Sequence, residues 1–141
     1  MELPPGFTVE NSGAVFLVLV FSDFVIKVPR KKSGKYEENL KRIAEIQNDL
    51  AGKVDGVLPC TAYGEYLVMP RAPGIQVSKI KSKDKETRAR VEQLKEKMLK
   101  EIRECGYHPK DCAGSKNMFY DRQQDKLYMV DFHLVKRDSG R

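Results

Sequence analysis

Short apolar blocks open the chain. Phe7 to Val9, Val15 to Phe21 and Phe24 to Val28 are rich in Val, Phe, Leu and Ile. Asn11-Ser12-Gly13 and Ser22-Asp23 separate them with turn residues, so the pattern predicts three antiparallel strands in a meander. Pro29 ends the third strand, and Arg30 to Lys35 is a basic link. The period then changes. Tyr36, Leu40, Ile43 and Leu50, with Ala44 and Ile46 between them, lie at helical spacing, and Gly52 closes that helix. Val57 to Ala62 and Glu65 to Met69 predict two more strands around Tyr63-Gly64. Pro70-Arg-Ala-Pro-Gly74 breaks the pattern as a hinge would. Asp84 to Cys105 is the strongest helix, with Val91, Leu94, Met98, Ile102 and Cys105 on one stripe and Gly106 as its stop. Met118 to Tyr120 and Leu127 to Val130 flank a polar turn and predict a closing hairpin.

Composition narrows the setting. A chain of 141 residues makes one domain, or two small lobes sharing a cleft. Charged residues are 33% of it and the formal net charge is +6, which favours anionic partners such as nucleotide, phosphoprotein or RNA. Lys79 to Lys85 is the one dense basic run, read most simply as a solvated helix entry. Cys60, Cys105 and Cys112 lie far apart without metal-site spacing, which fits a reducing compartment. The N-terminus lacks the basic-then-apolar order of a signal peptide. The longest apolar run, Ala14 to Phe21, is too short to span a bilayer. The expectation is a cytoplasmic protein with no membrane partner.

The chemistry-bearing residues gather near the end. Asp111 is followed six residues later by Asn117, and the last apolar run leads into Asp131-Phe132. Hard cations such as Mg²⁺ take one or two carboxylates plus substrate phosphates, so Asn117 and Asp131 are the natural pair to hold one. Asp111 is then left to handle a proton.

The order of three strands, helix, two strands, hinge, helix, loop, hairpin and Asp-Phe resembles the protein-kinase-like superfamily, in the style of the minimal atypical RIO and Bud32 kinds. Phe24-Val-Ile-Lys27-Val is similar to that family's V-A-I-K strand, whose lysine pairs with ATP phosphates. The resemblance implies an α+β fold, with a five-stranded antiparallel N-lobe sheet and one helix over residues 1–70. A hinge at 71–77 and a reduced, truncated helical C-lobe at 78–141 would follow. It implies that Glu45 braces Lys27, with Glu38 as the alternative. It places Gly13 at the phosphate-covering loop, and Met69 and Ala72 at the adenine. Asp111 would orient or deprotonate the acceptor hydroxyl, Asn117 and Asp131 would bind Mg²⁺, and Lys110 or Lys116 would neutralise the transferred phosphoryl group.

The implied activity is ATP-dependent, Mg²⁺-assisted phosphoryl transfer to a hydroxyl, as in a Ser/Thr kinase. A protein substrate, or a partner completing the C-lobe, would accompany ATP. The alternative is a pseudokinase or nucleotide-binding module acting through a protein partner. A basic nucleic-acid-binding protein is the third class, for which zinc spacing, an arginine-rich arm and an aromatic RNA signature are all lacking.

Overall fold

The computed structural model describes residues 8–10, 16–29, 36–109, 113–132 and 135–137. Gly13, Lys110, Asp111 and His133 lie outside the described residues. The chain divides into two compact units, Met1–Asn48 with Pro59–Arg71, and Asp49–Leu58 with Ala72–Arg141.

The first unit is built on a five-stranded antiparallel sheet. Strands β1 (Thr8–Glu10), β2 (Phe16–Val20) and β3 (Phe24–Pro29) form the expected meander. Strands β4 (Thr61–Tyr63) and β5 (Tyr66–Pro70) form a hairpin that joins through β5, giving the order β1-β2-β3-β5-β4. Phe21 and Phe24 stack at 4.5 Å across the β2–β3 turn. The Arg71 amide donates to Asp23 O at 3.0 Å, which pins the end of β5 to that turn.

Helix α1 (Tyr36–Ala51) buries the stripe Leu40, Ile43, Ala44, Gln47 and Leu50. Its neighbour Asn48 clamps Cys60, with Nδ2 donating to the Cys60 carbonyl at 2.7 Å and Oδ1 accepting from the Cys60 amide at 2.8 Å. One side-chain amide thus does for Cys60 what a neighbouring strand would do.

The strand expected over 57–62 is only partly present, because its first half belongs to the other unit. Pro59 has no amide to donate, and Asn48 has taken both backbone groups of Cys60. Val57 instead makes a parallel bridge to Met129.

The second unit is organised by helix α2 (Lys85–Glu104), which buries Val91, Met98 and Ile102. Asp84 caps its start by accepting from the Thr87 amide at 3.2 Å. Gly106, at φ +88°, ends it in the left-handed conformation that glycine adopts without penalty. The expected hairpin is β8 (Met118–Asp121) with β9 (Lys126–Met129), and a short strand β6 (Ile75–Gln76) joins it in the order β6-β8-β9. A further pair joins β7 (Tyr107–His108) to β10 (Lys136–Arg137). Neither β6 nor the β7–β10 pair has a sequence signature, since two-residue strands carry no period. Gly56, at φ +92°, lets the 52–58 loop close on β9, its carbonyl accepting from the Met129 amide at 3.1 Å.

Candidate functional site

The structure presents the candidate residues in two sets, one in each unit. In the first unit the cross-strand register decides which side chains share a face. Lys27 is paired with Val18 on one side and Leu67 on the other, and Val25 with Met69. Directly paired residues point the same way, so Lys27, Leu67 and Met69 lie on one face of the sheet.

That face is the covered one: Gln47 of α1 donates from Nε2 to the Met69 sulfur at 3.9 Å. Lys27 is only 7% exposed, and its Nζ stands 5.7 Å from the centroid of the Phe16 ring. Burying an ammonium in this way is costly unless other groups compensate the charge, which marks Lys27 as more than a solvated edge lysine. Burial also pushes the nearby Cys60 thiol up to about 11, while the Lys27 charge acts the other way.

Glu45, expected to brace Lys27, is exposed and makes no ion pair among the described residues. The inward stripe of α1 is occupied by Leu40, Ile43, Ala44 and Gln47, and Glu45 falls on the opposite side of the helix. The side chain of Glu38 lies outside the described residues. Gln47, buried to 1% exposure, was missed by sequence reasoning. Its signal was available: it is the polar residue at the heptad position between Leu40 and Leu50.

In the second unit, hairpin register carries the metal candidates. Met118 pairs with Met129, and one step further the Val130 amide donates to the Asn117 carbonyl at 3.0 Å. Asn117 and Asp131 are therefore brought to the same open end of the hairpin, and both are half-buried. Asn117 closes a 3-10 turn, Ser115–Asn117, through its amide to the Gly114 carbonyl at 2.9 Å. Asp131 is followed by Phe132, which is 1% exposed, and the Val135 amide returns to the Phe132 carbonyl at 3.1 Å. The anchored Phe132 restrains the aspartate beside it.

Lys116 is exposed, and its carbonyl accepts from Gln76 Nε2 at 2.8 Å. Ala72 is buried. Among the described residues no three of His, Cys, Asp and Glu form a cluster able to enclose a metal. An amide oxygen with a carboxylate is a hard, incomplete donor set, which fits a Mg²⁺ completed by water and phosphate rather than an all-protein cage.

The hairpin itself is held by α2. Asp125, in the β8–β9 turn at φ 51°, accepts from Arg90 Nη2 at 2.7 Å and from the Tyr120 hydroxyl at 2.7 Å. These bonds hold its carboxyl at about 2, well below the usual range, Arg90 being the larger cause. Upstream of the undescribed Asp111, Tyr107 donates its hydroxyl to Asp49 Oδ2 at 2.5 Å, and Pro109 is fully buried.

Sequence comparison supplies the deciding observation. Residues 35–139 match the family model described as protein kinase OspG, kinase domain. The chain belongs to this kinase-domain family. No curated protein matches the sequence. Among 211 matching chains of solved structures is that of the Rv3197–erythromycin complex from Mycobacterium tuberculosis. It shares the fold at a TM-score of 0.70 and 14% identity, over 96% of this chain and 48% of that one. This kinase domain thus spans about half the length of that relative in fold. Membership implies a nucleotide-binding site. Among the described residues no helix is long and apolar enough to cross a membrane.

Proposed function

We propose that this kinase domain transfers the γ-phosphoryl group of ATP to a hydroxyl acceptor with the help of Mg²⁺. The observation that carries the proposal is the hairpin register that brings Asn117 and Asp131 to one end, inside a segment matching a kinase-domain family. Mg²⁺ would supply positive charge against the charge that develops on the transferred phosphoryl group. Asn117 and Asp131 are the residues to hold it.

Lys27 is assigned to the α- and β-phosphates. Its ammonium is fixed on a strand and held out of bulk water, so its charge acts through a lower dielectric than that of an exposed lysine. Met69, on the same face, is assigned to the back of the adenine pocket, with Ala72 offering backbone groups to the base. Gly13 is assigned to the phosphate-covering loop. Asp111 orients the acceptor hydroxyl and receives its proton, and Lys116 offsets charge on the transferred group. Glu45 is exposed, and Glu38, two turns earlier in α1, is kept as the alternative brace for Lys27. The reaction is then an in-line transfer in which positioning and electrostatics lower the barrier. The economy of these parts supports the comparison with the RIO and Bud32 kinds, and a Ser or Thr hydroxyl on a protein as the acceptor.

The test is γ-phosphate transfer from labelled ATP with Mg²⁺, run beside an ATP-binding titration. Transfer that disappears in Lys27→Ala and in Asp131→Ala, with melting unchanged, supports the assignment. Binding without transfer selects a nucleotide-binding module acting through a partner, and full activity of Asp131→Ala removes the metal role.

A further inference from the structure

The basic run between β6 and α2 is unlike the rest of the surface. Lys79, Lys81, Lys83 and Lys85 are four lysines in seven residues, and all four are exposed. Among the described residues none of their ammonium groups is joined to a carboxylate. The acidic residue within the run is Asp84, and it is already engaged, accepting from Arg122 Nη2 at 3.1 Å and from the Thr87 amide. Farther along α2 the picture is different. Glu92, Glu96, Glu101 and Glu104 alternate with Lys95, Lys97, Lys100 and Arg103, so charge there is balanced.

The backbone under the lysines is held in place. Ile80 is buried, and Arg88 donates to the carbonyls of Ile80 at 3.0 Å and Lys81 at 3.3 Å. The 3-10 turn Val77–Lys79 also packs against the turn carrying Lys116, another exposed and unpaired lysine. The guanidinium groups of Arg88 and Arg122 beside the run each donate to internal partners. The positive charges within the run itself are ammonium point charges on flexible stems.

Such a set reads charge density rather than shape. Shape-specific readout of acidic peptides and nucleic acids uses forked guanidinium groups and aromatic stacking, and the run itself offers neither. A fluid layer of anionic headgroups supplies charge density without fixed geometry, and clusters of four or more lysines are what it attracts. Ile75, 45% exposed and four residues before Lys79, adds an apolar side chain of the kind that enters a headgroup region.

We propose that the segment Lys79 to Lys85 docks this kinase domain peripherally on an anionic phospholipid surface. No spanning helix is required for such contact, and the docking is independent of whether phosphoryl transfer occurs.

The test is sedimentation of the purified full chain with vesicles of phosphatidylcholine alone, or with about 30% phosphatidylserine. Binding is expected to the anionic vesicles alone and to weaken steeply with salt. Lys81→Gln with Lys83→Gln should weaken it about 25-fold, at roughly fivefold per lysine. The charge-matched pair Lys95→Gln with Lys100→Gln should change it by less than about twofold. Because these side chains lack internal partners, melting curves should coincide. Equal losses in the two pairs, no preference for anionic vesicles, or tighter binding to an RNA oligomer or to polyglutamate would each overturn the proposal.

Discussion

The Val130 amide donates to the Asn117 carbonyl at 3.0 Å, and this one backbone bond fixes the spacing of the candidate metal ligands. Asn117 and Asp131 are fourteen positions apart in the chain. The β8–β9 hairpin removes that separation, because residue 117 stands opposite residue 130 and Asp131 comes next. A two-ligand site of this kind is built from strand register, so a change that loosens the hairpin should act on metal use before it acts on nucleotide affinity.

Asp131→Asn should keep the fold, since the amide is nearly isosteric. It should lower phosphoryl transfer by roughly 10²–10³-fold or more, the scale seen when one electrostatic stabiliser is removed. Titrating Mg²⁺ should show a higher requirement, and an unchanged requirement would take the residue out of the metal site.

Glu45→Gln should leave transfer within about twofold, because an exposed carboxylate without an ion pair holds nothing in place. Glu38→Gln should lower it by more than tenfold if Glu38 is the brace, the scale of a charge-assisted hydrogen bond to a buried cation. Steady-state rates of the two variants, measured side by side, decide between the carboxylates.

Asp125 predicts a specific acid response. Its folded value of about 2 lies below the ordinary 3.8, so its contribution is full above pH 4 and is lost as pH falls toward 2. Asp125→Asn keeps a residue that tolerates the left-handed backbone while removing the charge. The stability gap between the two proteins, read from denaturant melts, should be widest near pH 5 and close by pH 2.

Gly56→Ala should destabilise the second unit by about 1–3 kcal/mol, the cost of holding a non-glycine residue in a sparsely populated conformation. At φ +92° an added Cβ would run into the Leu127 carbonyl and Met98. Thermal melting measures this directly, and the 52–58 loop should show faster amide exchange in the variant.

Cys60 should resist alkylation in the native protein. Its thiol is 6% exposed and pushed up to about 11, so at pH 8 the thiolate population is small and shielded. Mass-spectrometric labelling with iodoacetamide should modify Cys105 before Cys60 and reach Cys60 only on unfolding.

Periodicity and punctuation carried much of the fold. The α2 stripe Val91, Met98 and Ile102 and the stop at Gly106 are local signals, because a helix satisfies its own hydrogen bonds and needs only an apolar face to bury. The opening meander and the β8–β9 hairpin were legible for a similar reason, as adjacent strands joined by turn residues. Asn117 and Asp131 could be put forward as a pair from residue type and spacing, and Lys27 from the resemblance of its V-I-K strand to that of a kinase.

Position within the folded chain was a different matter. Val57 has the composition of a strand residue, yet it bridges to Met129, because Gly56 turns the backbone and Asn48 occupies Cys60. Glu45 has suitable chemistry for a brace, but the inward face of α1 had already been assigned by Leu40, Ile43 and Ala44, with Gln47 buried among them. The pairings of β6 with β8 and of β7 with β10 join segments more than twenty-five residues apart. Residue order therefore settled which groups this kinase domain has to work with. Which of them are buried, and which strand ends meet, came from long-range register and packing, contacts that no local pattern encodes.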